Sequence, residues 1–394
     1  MRKQISTLFK VLAVTTGVVF LLSGCWMTPA PVPGGPTSAP TTADPGAPTA
    51  APTADPGATS APSVEPTGGP GTDTEGMVFS DSDTRLLMWN ELTPLTEAEL
   101  GYAKNEIYAR AGYAFKTAKY ADYFGKFGWY KVDPAFDAGK FTAIQLANIK
   151  LIDVAIRTLA GKLTYIPSGT VLDFDQDGVL ETLTYKAPSD YNMKLTLKEP
   201  GKATAYWNVA CDTPSKKVYL GDLSSKDSVL EMFVDEFGPS DDYQIHVAAV
   251  KPTAFSSRGL VPGSVGDFKL LGVGKISTLQ RMNILMTWFT TVQYKLNAAG
   301  KLAFVPQSFY DMGNFKCKTK VALPLLKTSN IDLQETAFLI PVGKTIYLQK
   351  TDDKKWISIK YGTKVGWLLM ADLYTIMDPY APATDIIDGL FMAD

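Results

Sequence analysis

The sequence predicts an α+β multidomain protein with a small helical N-terminal domain, a β-rich middle domain and a small C-terminal β-barrel. Three observations predict it. Between about Ser80 and Leu159, apolar residues recur at steps of three and four, the period of a helix packed on one face. Beyond Leu163 they alternate over short runs broken by Gly, Asp and Asn, the signature of strands and tight turns. Ahead of both lies a stretch rich in Pro, Thr, Ala and Gly that carries neither period. Lys and Arg number 38 against 40 Asp and Glu, a net charge of -2, which removes the basic footprint of a nucleic-acid binder. With 45% hydrophobic residues, the chain can fill cores for two or three domains.

The N-terminus speaks to compartment. Arg2 and Lys3 lead into an apolar run from Val11 to Leu22, shorter than the ~20 residues a membrane span requires. It ends in "LSGC", Leu22 to Cys25, which resembles the lipobox of bacterial lipoproteins. The resemblance implies a signal peptide over residues 1–24, a diacylated Cys25 and a chain held by its lipid on the outer face of the bacterial membrane, each buried methylene contributing about 0.8 kcal/mol. Residues 25–78 read as a disordered tether in which "TADPGA" occurs at Thr42–Ala47 and again at Thr53–Ala58. Extended, it reaches on the order of 100 Å, enough to cross part of a cell wall. Of the three cysteines, lipidation consumes Cys25; Cys211 and Cys317 fit a disulfide or two buried thiols equally well.

Residues 79–162 form the helical unit. Thr96 and Glu99 have capping-box spacing, Leu100, Ala103, Ile107 and Ala111 make one apolar stripe, and Gly112 closes the helix. A second helix covers Ala118 to Gly125. A third runs from Thr142 to Leu159 with Leu146, Ile149, Ile152 and Ile156 inward, so that three helices close over one core. "NEIYARAGYAFK", "YFGKFGWY" and "FTAIQLANIKLI" resemble the YARHG domain, a small extracellular module of bacterial lipoproteins that also occurs beside peptidase or kinase domains. The motif is carried by Tyr108, Ala109, Arg110 and Gly112, with Ala111 in place of the family's His. Any chemistry resting on that His is absent here. Glu106, Tyr108 and Arg110 read as structural fastening, with Arg110 over Trp129 or Tyr130 and paired with Glu106; the alternative is a binding surface.

In the β-rich region, 163–318, "TVLDFDQDGVLETLTY" places Asp173, Asp175 and Asp177 at alternate positions before Gly178, with Val179 and Glu181 following. Carboxylates so spaced converge inside a turn, and hard cations such as calcium take several oxygens at about 2.3–2.6 Å. An EF-hand has an acid at position twelve, which here is Thr184; the loop resembles instead those of FG-GAP-type repeats in β-propellers. The two readings are a structural calcium site and a solvated acidic turn. "VYLGDLSSKDSVLEMFV" is a worn echo, with Asp222, Asp227 and Glu231 but no Gly. A hairpin turns near Ala299 and Gly300. An irregular sandwich and a propeller-like array of three or four blades both fit this length.

Residues 319–378 show alternating strands at Thr345–Leu348, Trp356–Lys360 and Val365–Leu369, a pattern that resembles bacterial Src-homology-3-like barrels of wall-associated proteins. Two readings stand for its aromatics: Trp356 and Trp367 fill the small barrel, or, as the resemblance implies, Tyr347, Tyr361 and Trp367 line a groove for wall peptides or glycans; residues 379–394 follow as a tail. Enzyme signatures are sparse. His246 is the lone histidine, no H-E-x-x-H or G-x-S-x-G occurs, and "GVGKIS" has Ile276 where a phosphate loop places Ser or Thr. The expectation is a non-catalytic binding or scaffold module at the cell envelope, with wall polymer or an envelope protein as partner. The alternative is an envelope hydrolase or peptidase-associated protein that uses a carboxylate pair.

Overall fold

The computed structural model describes residues 74–239 and 242–393. The expected signal peptide, Cys25 and the part of the expected tether up to residue 73 lie outside the described residues. Four helices come first: α1 (Trp89–Leu92), α2 (Glu97–Arg110), α3 (Ala118–Phe124) and α4 (Ala143–Leu159). The capping box at the start of α2 is present: Thr96 Oγ1 accepts from the Glu99 amide at 3.3 Å, and Glu99 Oε2 accepts from the Thr96 amide at 2.8 Å. Thr142 and Gln145 cap α4 in the same way. Beyond the end of α2, Gly112 adopts φ +86°. A Cβ there would lie 2.6 Å from the Asp133 Cβ, so both the backbone conformation and the space select glycine.

The helices do not close on themselves, as their stripes suggested. Leu100, Ala103 and Ile107 of α2 and Leu151 and Ile152 of α4 share one core with Leu172, Phe174, Leu183, Leu195, Val218 and Val234 from the sheets beyond. Placed between α2 and these strands, α4 buries Ala147, Ile149, Leu151, Ile152, Val154 and Ala155. Leu146, expected inside, is 52% exposed because the buried arc is centred one position further round the helix. The other side of α2 is covered too, where Tyr102 and Ala109 meet Tyr123 and Phe124 in an aromatic cluster.

The strands follow as successive antiparallel meanders. After β1 (Thr164–Ile166), β2 (Thr170–Leu172), β3 (Glu181–Ser189), β4 (Asn192–Lys198) and β5 (Ala205–Ala210) form the first. The second contains β6 (Pro214–Gly221), β7 (Glu231–Glu236), β8 (Gln244–Lys251) and β9 (Ala254–Pro262), with β1 added beside β6. The third contains β10 (Lys269–Gly272), β11 (Lys275–Met282), β12 (Trp288–Leu296) and β13 (Leu302–Val305). "GVGKIS" is thus the tight turn between β10 and β11, with Gly272, Val273 and Gly274 all at positive φ.

The last sheet takes β14 (Tyr310–Thr319), β15 (Leu323–Leu326), β16 (Thr336–Ile340), β17 (Thr345–Thr351), β18 (Trp356–Tyr361) and β19 (Lys364–Leu369). After a small ladder of β20 (Thr375–Ile376) with β21 (Ala381–Pro382) and a turn of helix, α5 (Ala383–Ile386), β22 (Ile387–Asp388) pairs with β14 at its edge. The order is β16-β15-β19-β18-β17-β14-β22. This sheet therefore begins at Tyr310, ahead of residue 319, and reaches into the supposed tail. Phe391 O accepts from the Thr287 amide at 2.8 Å, and Ala393 O accepts from Arg281. Cys211 and Cys317 are free thiols buried in separate cores.

Gly112→Ala is expected to lose about 1–3 kcal/mol of unfolding free energy in urea titrations, through positive-φ strain and the contact with Asp133.

Candidate metal centre

The loop between β2 and β3 is drawn tight by its own acids. Asp173 Oδ1 accepts from the Asp177 amide at 3.1 Å, and Asp173 Oδ2 accepts from the Gly178 amide at 2.9 Å. Asp177 Oδ1 accepts from the Val179 amide at 2.9 Å, while the Val179 side chain faces solvent. Glu181 Oε2 accepts from the Phe174 amide at 2.6 Å. Gly178 at φ +91° and Gln176 at φ +64° turn the chain sharply enough for this. One oxygen from each of Asp173, Asp175, Asp177 and Glu181 lies within 4.8 Å of every other. The structure thus brings together all four acids that the sequence nominated.

Several of these oxygens have nothing to bind. Glu181 is 1% exposed, and its Oε1 and both carboxylate oxygens of Asp175 are buried without a hydrogen-bond partner. Lys202 is the nearby cation, pairing with Asp177 Oδ2 and, at 2.8 Å, with Glu199. Burial pushes the Asp173 carboxyl up to about 6, raises Asp175, and pushes Glu181 up to about 8, because a desolvated carboxylate among like charges prefers a proton to ionisation. Such a group is satisfied by a proton or by a cation. The oxygen-rich donor set, with no nitrogen or sulfur, suits a hard divalent ion.

The echo loop between β6 and β7 has the same plan with one residue more. Glu231 Oε2 accepts from the Leu223 amide at 2.9 Å, as Glu181 does from Phe174, and Asp227 Oδ1 accepts from the Val229 amide at 3.0 Å, as Asp177 does from Val179. Here the remaining oxygen is occupied. Arg258 from β9 reaches Glu231 Oε1 through Nε at 3.1 Å and an NH2 nitrogen at 2.8 Å. Asp222 Oδ2 accepts from the Trp89 indole N–H at 2.8 Å. Burial still raises Asp222 to about 6 and Glu231 to about 7, the latter held down by Arg258. One chain thus carries two copies of a buried acidic loop, and a guanidinium sits in one at the position left open in the other.

Trp89 connects these loops to the helices. Its backbone amide donates to Gln176 Oε1, inside the first loop, while its indole reaches Asp222 in the second. The segment leading to Trp89 is fastened by the motif of the helical unit. Glu106, fully buried, accepts from the Val78 and Phe79 amides through Oε2. Arg110 donates to Ser80 O, Ser82 Oγ and Asp83 Oδ1, and its NH2 nitrogen lies 4.0 Å from Glu106 Oε1. This corrects the expected stacking on Trp129 or Tyr130, since both terminal nitrogens are turned to the strap across α2. Trp129 fastens the same strap, its indole donating to Glu75 O at 2.9 Å, whereas the Tyr130 hydroxyl donates to Tyr113 O at 2.7 Å, just past the end of α2. Tyr108 packs edge-on to Phe141, while Ala109 is buried in the aromatic cluster.

Residues 75–155 match the YARHG domain. The match begins at the residue that Trp129 holds and ends within α4, so the strap and its fasteners all belong to the domain. No curated protein matches the chain. No solved structure matches it.

The C-terminal candidates are divided. Tyr347 pairs across with Lys360, and Trp367 with Ser358 two residues earlier on the same strand, which places Tyr347 and Trp367 on one face. Tyr361 lies on the other and packs on the core. Trp367 is joined instead by Phe309 at 5.1 Å between rings, with the Lys350 ammonium 5.5 Å from the Trp367 ring centre. His246 lies in β8, with Nε2 2.6 Å from Glu236 Oε2.

Sequence reading missed Trp89, Asn148, Gln176, Lys202 and Arg258. Asn148 of α4 is buried and holds the strap by accepting from the Leu87 amide at 2.9 Å and donating to Ser82 O and Arg85 O. A signal for Arg258 was present. Only six of the 38 basic residues are Arg, and all five in the described region make side-chain hydrogen bonds to acids or carbonyls. In a Lys-rich chain, an Arg marks a place where a rigid fork of donors is needed.

Arg110→Lys keeps the charge but cannot span Ser80, Ser82 and Asp83 together. It is expected to cost about 1–2 kcal/mol in urea unfolding.

Proposed function

We propose that this chain is a non-catalytic, lipid-anchored protein on the outer face of the bacterial membrane, a scaffold whose folded body is braced by one structural calcium ion. The observation that carries the calcium reading is Glu181 Oε1, buried and unpartnered within 4.8 Å of three aspartate carboxylates. Asp173, Asp175, Asp177 and Glu181 supply the charge, and the Val179 carbonyl follows at the position where calcium loops use a backbone oxygen. Depth argues against the alternative of a carboxylate-pair hydrolase. An acid 1% exposed cannot touch a polymeric substrate. The lipobox-like "LSGC" at Cys25 supports placement at the envelope, where millimolar calcium suits a weak site.

The second element is the contact surface. The C-terminal sheet resembles Src-homology-3-like barrels in strand spacing, and the three meanders before it are propeller-like in order. On this reading Trp367, Phe309 and Tyr347 face wall polymer or an envelope protein, and Tyr361 serves the core.

Calcium at about a hundred times its dissociation constant contributes roughly 2.7 kcal/mol, so the thermal midpoint should rise by about 5 °C over that in EGTA. Asp175→Asn should abolish the rise, and an unchanged midpoint in the wild-type chain would count against the site. In sedimentation with purified peptidoglycan, the chain should be retained and Trp367→Ala should reduce retention about tenfold. Equal retention of both would remove Trp367 from the contact.

A further inference from the structure

The acidic loop is also the seat of the YARHG domain. Gln176, between the ligand candidates Asp175 and Asp177, points inward at φ +64° and is 8% exposed. Its Nε2 donates to Asp173 O at 2.6 Å, and its Oε1 accepts the Trp89 amide. Next to it, Phe174 is fully buried in the core that contains Trp89, Leu92, Leu100 and Leu151. The backbone that carries the four acids is therefore the same backbone that holds α1 and the strap.

We propose that the cation is a latch. With calcium bound, the loop presents Gln176 and Phe174 to Trp89, and the segment from Leu87 to Leu92 stays docked on the β region; without it, the backbone of that segment loosens. This rests on the calcium reading above. The physical cause is charge. One oxygen from each of four acids lies within 4.8 Å of the others, and among them the aspartates repel one another with only Lys202 nearby, so loss of the ion favours a wider loop. Widening moves Gln176, whose backbone lies between two of the acids. The second hold on Trp89, from Asp222, does not relax, because that loop is neutralised from within by Arg258. This segment is thus held permanently by the Trp89 indole and by Asn148 at the Leu87 amide, and conditionally at the Trp89 amide, and the effect of chelation is local to residues 87–92.

Hydrogen exchange of the full chain tests this, with calcium titration by calorimetry alongside. On replacing calcium chloride with EGTA, amides of residues 87–92 should exchange at least about tenfold faster, while residues 345–369 of the last sheet stay unchanged. Gln176→Ala, held at a calcium concentration that calorimetry shows to be saturating for the variant, should show the fast exchange at 87–92 even with calcium bound. The latch is overturned if calorimetry shows binding but chelation leaves 87–92 protected. It is equally overturned if Gln176→Ala keeps them protected in calcium, or if chelation accelerates residues 345–369 as much as 87–92. Absence of calcium binding by the wild-type chain overturns the underlying site, and the latch with it.

Discussion

A buried carboxylate that holds a passing backbone amide with one oxygen needs a cation or a proton for the other, and this requirement recurs at three fully buried glutamates among the described residues. Glu106 accepts from Val78 and Phe79, Glu181 from Phe174, and Glu231 from Leu223. Each is within 1% of full burial. Arg258 answers Glu231 directly, and Arg110 stands 4.0 Å from Glu106. Glu181 has no arginine. Ionised carboxylates are costly to bury unless paired, so the third site is the one where the chain's own residues leave the requirement open.

The same requirement explains what the YARHG motif does here. Its Glu, Arg and aromatics converge on residues 75–83 and hold that strap across α2. Neither the motif nor its missing His points to a reaction. Ala111, where the family's name has His, is a half-buried C-cap residue of α2, and the fastening proceeds through its neighbours. The domain is built into the rest of the molecule, since its core continues through Phe174 and Leu183 into the first two meanders.

Local structure was legible where chemistry is local. The Thr96 capping box, the glycine after α2, the Asp173–Glu181 turn and the strands on either side of Asp352 all follow from residues within a few positions of one another. The long-range pairings were not. Arg110 looked free to stack on Trp129 because nothing near it in sequence marks Ser80 and Asp83 as its partners. Leu146 looked inward because an apolar stripe does not say that strands cover α4 from one side. Glu231 and Arg258 lie on different strands, so the echo loop reads from sequence only as a worn copy, with no indication that a guanidinium meets its glutamate.

The most direct test of a cation answering Glu181 is metal analysis of the purified, dialysed chain by native mass spectrometry. The account predicts calcium bound in a one-to-one ratio to the wild-type chain and absent from a folded Glu181→Gln variant, which keeps the Phe174 hydrogen bond but not the charge. A wild-type chain that carries no calcium, or a Glu181→Gln chain that carries as much, would contradict it.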